Sequence, residues 1–82
     1  MNPTEKANEI VEKYLPLVRG ADRYNYNLES MNVFIAKSLA LIHVNEMIEK
    51  LAEFVVLDYD STGMIRAEMR FYESVRTSLQ NR

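Results

Sequence analysis

The chain of 82 residues contains no cysteine. Disulfides, thiolate-held zinc and thiol catalysis are therefore excluded, and a reducing compartment fits the composition. There is one histidine, His43, so no paired-histidine metal helix can form. Ser38 lies five residues before His43 and does not share its helical face, so this pair starts no Ser/His/Asp arrangement. No apolar run approaches the roughly 20 residues of a membrane span. The opening MNPTEKANEI is polar and charged, unlike a secretory signal. An excess of either sign of charge is also missing: the formal net charge of -2 gives no general affinity for nucleic acid. Glycine and proline number two each, and none falls between Met31 and Val55.

That uninterrupted stretch, MNVFIAKSLALIHVNEMIEKLAEFV, organises the chain. It is too long for an ordinary strand and reads as one helix. At about 100° per residue, one broad arc collects Val33, Phe34, Ala36, Ala40, Leu41, Val44, Met47, Ile48, Leu51, Phe54 and Val55. An arc this wide can pack against two other helices. The opposite side changes character along its length. Its second half carries Glu46, Glu49 and Glu53; its first half carries Ile35, Leu39 and Ile42 at i, i+4, i+7 spacing. In a lone bundle those three would face water, and a contiguous apolar stripe marks a contact surface or a face covered by the preceding loop.

Asn2-Pro3-Thr4-Glu5 is a helix start: Asn as cap, Pro at the first position, Glu three residues on. Ala7, Ile10, Val11, Tyr14, Leu15, Leu17 and Val18 supply its apolar face, and Pro16 is expected to end or kink the helix. Residues 19–30, RGADRYNYNLES, read as a loop, with Asn27 or Ser30 capping the next helix. Arg19, Arg23, Tyr24 and Tyr26 in that loop have the composition that clamps an anion or stacks on a nucleotide. With no Gly-rich phosphate cradle in the segment, the plainer reading is tyrosines capping the core beside solvated arginines.

The second turn, VLDYDSTG, invites comparison with a calcium loop: Asp58, Asp60, Thr62, Gly63 and Ile65 fit its slots. The bidentate twelfth position is Met69, however, and Glu68 stands one residue early. The plainer reading is a cap from Asp60 or Ser61 with Gly63 easing the turn. A third helix follows, with Met64, Ile65, Ala67, Phe71, Tyr72, Val75 and Leu79 on its apolar face. Glu68 falls inside that arc, where it would need a partner. Arg66 and Arg70 stand outside it. Residues 42–60 carry five acids and one lysine, and residues 63–82 four arginines and two glutamates, so the two segments should attract.

The expectation is therefore an all-α fold: a single three-helix bundle with helices over about 3–18, 30–55 and 61–80 and a long, highly apolar central helix. Glu46, Glu49 and Glu53 lie on a convex surface that offers no cleft to shift a carboxylate, so no enzyme and no cofactor are expected. His43 reads as a packing residue at the edge of the core.

Three segments resemble a group of small proteins. The opening EKANEIVEKYLPLV is similar to KAxELVxKYxPLV, residues 36–48 (AKSLALIHVNEMI) to AKxxALIxVxEII, and Phe71 to Leu79 (FYESVRTSL) to YWxxVKxEI. Proteins with this order of motifs are numerous in bacteriophages and prophages of Bacteroidota. The chain departs from them at Ser38-Leu39, commonly Gln-Cys, and at Asn45, commonly Asp. The resemblance implies a phage accessory protein in the host bacterial cytoplasm and supplies no activity. The leading expectation is a non-enzymatic protein that binds itself, or a host or phage protein, through Ile35, Leu39, Ile42, Glu46 and Glu49. Blocking a host defence is one such role. Two alternatives are an oligomer that binds an anionic small molecule or nucleotide through Arg19, Arg23, Tyr24 and Tyr26, and a virion component.

Overall fold

Capping and periodicity set three helices in the computed structural model, which describes residues 1–22, 28–57 and 63–81. They are α1 (Pro3–Ala21), α2 (Glu29–Val56) and α3 (Met64–Gln80); the described residues hold no strand. The start of α1 is as the sequence indicates. Asn2 Oδ1 accepts from the Glu5 backbone N–H at 2.8 Å, and Asn2 Nδ2 donates to Glu5 Oε1 at 3.0 Å. This satisfies a donor that the helix cannot satisfy itself.

Pro16 does not end α1, which continues five residues beyond it. A proline at this position removes one hydrogen bond, the one to Glu12. Pro16 and Glu12 are both exposed, where solvent can satisfy a carbonyl that lacks a helical donor. The expected linker 19–30 correspondingly shortens, because Arg19–Ala21 belong to α1 and Glu29–Ser30 to α2. Ser30 does not cap α2: the cap position is Leu28, with no side-chain hydrogen bond. Asn27 lies outside the described residues, as do Asp60 and Ser61, the candidate caps of α3. That helix starts at Met64 rather than 61, after Gly63 in the left-handed region at φ 78°, a conformation that glycine adopts without a Cβ penalty.

Four side-chain pairs fix how the helices lie. Arg19 meets Glu29 and Tyr14 meets His43, so α1 runs antiparallel to α2. Arg76 reaches Asn45, while Arg66 and Met69 share a depression with Val55, so α3 is also antiparallel to α2. The outer helices are thus roughly parallel, and Thr4 in the first turn of α1 meets Ser78 in the last turn of α3. They overlap around one layer rather than along their full lengths. By rise per residue α1 is about 28 Å long, α3 about 26 Å and α2 about 42 Å; the molecule is 51 Å long and 21 by 17 Å across. The two short helices follow one another along the long one, in a staggered bundle.

Burial follows from this stagger. The core is Ala7, Ile10 and Val11 of α1, Ala36, Ala40 and Val44 of α2, and Val75 and Leu79 of α3, with Val18 toward the far end of α1. Ala7, Ala36 and Ala40 are fully buried, and small side chains let helices approach closely. Tyr14, Leu15, Ile35, Leu41, Ile48, Phe71 and Tyr72 pack around them.

Three expectations about the core are corrected. Val33, Phe34 and Phe54 are exposed, because the buried row of α2 steps by four through Asn32, Ala36, Ala40 and Val44. Phe34, two residues after Asn32, is turned about 200° from it. Glu68 is exposed, not held inside the bundle, since the first half of α3 lies beyond the start of α1. Met64 in the same half is 71% exposed. Ile35, expected in the outer stripe, is half-buried and packs on the core.

Candidate functional site

The stagger puts α1 and α3 along one side of α2. The other side of the first half of α2 carries Leu28, Met31, Phe34, Leu39 and Ile42, exposed by 76, 50, 63, 36 and 56%. Of the expected stripe, Leu39 and Ile42 are therefore outside as foreseen and Ile35 is its inner edge. Met31 and Phe34 were missed. The available signal was their spacing: Met31, Ile35 and Ile42, with Phe34 and Ser38 alongside, all fall on the side opposite Ala36 and Ala40.

Ser38 sits within this face, and its hydroxyl donates to the Phe34 carbonyl at 3.0 Å. The donor is satisfied within its own helix. Toward the C-terminus the same side becomes Glu46, Glu49 and Glu53, all exposed. Beside them an open depression of about 540 Å³ is lined by Glu49, Ala52, Glu53, Val56 and Leu57.

The end of α1 is tied to the start of α2 through Arg19 and Glu29: Arg19 Nε donates to Glu29 Oε1 at 2.9 Å, and its Nη2 reaches the same oxygen. The hydrogen bond from Arg19 holds the Glu29 carboxyl below its ordinary value, against a smaller opposing effect of desolvation; Asn32 adds a second hydrogen bond. The same bond raises Arg19. Of the residues proposed to clamp an anion, Arg19 is thus engaged by a carboxylate, and Arg23, Tyr24 and Tyr26 lie outside the described residues. Asn32 is buried, and its Oδ1 has no hydrogen-bond partner.

His43 lies at the border between the core and the outer face. Its Nδ1 is 2.9 Å from the Tyr14 hydroxyl, and the rings meet edge to face at 5.9 Å. With the hydroxyl as donor, Nδ1 is the unprotonated nitrogen. Around Arg66 and Arg70 is a depression of 280 Å³, lined also by Val55, Met69 and Glu73. Among the described residues no three His, Asp or Glu side chains converge to hold a metal ion, and no helix is long and apolar enough to cross a membrane. Of the calcium-loop positions, Asp58, Asp60 and Thr62 lie outside the described residues. No family model, curated protein or solved structure matches the chain.

Proposed function

We propose that the protein is a non-enzymatic interaction module and that the outer face of α2 is its docking surface. The observation that supports this is a group of exposed apolar side chains on the outer side of the first half of α2: Met31, Phe34 and Ile42, with Leu39 at its margin. Contiguous apolar patches of this kind mark interaction sites in soluble domains. Glu46, Glu49 and Glu53 extend the surface with negative charge, which selects partners by complementarity rather than adding much affinity. The depression beside Glu49 and Glu53 is open and otherwise lined by Ala52, Val56 and Leu57, a surface that suits docking rather than an enclosed substrate site. On the resemblance to phage and prophage proteins, the module would act in an infected bacterial cell, with itself, a host protein or another phage protein as its partner.

The test is the double variant Phe34→Glu with Ile42→Lys, both at exposed positions. Helicity should be retained and protein binding lost. Binding retained by this variant would reject the face. Thermal stabilisation by nucleotides that Arg23→Ala abolishes would favour the anion-binding loop instead.

A further inference from the structure

Resting on that reading of the α2 face, we infer that its occupant is a second copy of this chain, with the two α2 helices antiparallel. Three observations lead there.

The first is what the fold leaves incomplete. Around Ala40, Val44, Val75 and Leu79 three helices share the core. Around Asn32 and Ala36, α2 has α1 on one side and bare apolar side chains on the other. A second α2 supplies the missing layer, and α1, α2 and their two copies then form a four-helix arrangement.

The second is area. With about 200 Å² for a side chain of this size, the exposed parts of Leu28, Met31, Phe34, Leu39 and Ile42 amount to about 560 Å² per chain. A symmetric pair thus removes roughly 1,100 Å² before polar flanks are counted, close to the lower bound of about 1,200 Å² for specific interfaces. This fits a dimer whose population depends on concentration.

The third is charge. A parallel pair sets Glu46, Glu49 and Glu53 against their own copies, which repel. An antiparallel pair with its two-fold axis near Ile35 places Met31 opposite Leu39 and Leu28 opposite Ile42. Glu46 then lies about four residues, or about 6 Å, beyond the second copy's Leu28. That helix start has no side-chain cap, its dipole favours a carboxylate, and the acid of its own first turn, Glu29, is already engaged by Arg19.

Because the chain has no cysteine, single-cysteine variants report the pairing cleanly. Light scattering across concentrations should show the wild-type mass rising from 9.6 kDa toward twice that, with the Phe34→Glu/Ile42→Lys variant fixed at the lower value. A mixture of Met31→Cys and Leu39→Cys chains should give the mixed disulfide, identified by intact mass, several-fold above either homodimer. Homodimers dominating the mixture would overturn the antiparallel arrangement. A wild-type mass that stays at one chain at millimolar concentration would overturn the second copy as occupant. In that event an apolar fluorescent dye that binds the wild type and not the double variant would leave the docking face standing. Absence of dye binding would reject the face along with its occupant.

Discussion

Leu79→Ala and Phe34→Ala remove large apolar side chains from two places that the stagger treats oppositely. Leu79 is fully buried in the layer where all three helices meet. Truncation there loses its transfer energy and leaves a cavity, about 3–5 kcal/mol by comparison with other core leucines. A domain of this length holds roughly 4–12 kcal/mol in total, so this variant should be largely unfolded in mild urea. Phe34 is 63% exposed, so only about a third of its surface leaves water on folding. Full burial of such a side chain contributes about 1.5–3 kcal/mol, and the expected cost for Phe34→Ala is therefore about 0.5–1 kcal/mol. Urea unfolding followed by circular dichroism at low micromolar protein measures both as monomers. A Phe34→Ala cost of 3 kcal/mol or more would place Phe34 in a packed core and refute the arrangement of α1 and α3 on one side of α2. At higher concentration the cost should grow as the dimer forms, since association adds to apparent stability by mass action.

Gly63 stands at φ 78° with nothing within 4 Å of an added Cβ. Gly63→Ala should cost about 1 kcal/mol through backbone strain alone, lowering Tm by roughly 4–8 °C, and Gly20→Ala, inside α1 with equally open space, should stabilise. The Arg19–Glu29 pair gives a pH signature. The folded-state value of Glu29 is lowered, so its contribution is present above the unfolded value of about 4.3 and lost as pH falls through the folded one. Arg19 is raised, so its share is lost only as pH rises through that raised value, beyond any working range. Stability measured at several pH values should show wild type above Glu29→Gln at neutral pH, with the difference closing in acid. Because both groups are exposed, the difference should also shrink with added salt.

Local rules carried much of the fold. Asn2, Pro3 and Glu5 announce the start of α1 by capping chemistry that depends on no distant residue. Gly63 marks a turn for a similarly local reason. Periodicity was less decisive in α2, where apolar residues occupy both sides and the phase of the core is ambiguous. Phe34 falls at the edge of the broad apolar arc drawn at 100° per residue; what decides its position is the row of Asn32, Ala36, Ala40 and Val44 at steps of four, whose alanines admit a close neighbour. Glu68 looked enclosed because a helical wheel projects all turns onto one circle. It is exposed because α3 slides past the start of α1 at that level. Stagger between helices is a tertiary quantity, and Thr4 meeting Ser78 leaves no trace in either segment's own pattern. The acids at 46, 49 and 53 are exposed as their pattern predicts, because charged side chains on a regular helix have few alternatives to water.

The most direct measurement is solvent accessibility of individual side chains by NMR with a soluble paramagnetic agent. At tens of micromolar, the Phe34 ring and Ile42 methyls should broaden as strongly as the Met64 methyl, while Val44 and Leu79 stay sharp. At millimolar concentration Phe34 and Ile42 should become protected and Met64 should not. Protection of Phe34 and Ile42 at every concentration would contradict the account, because the face would then be part of the monomer's own core.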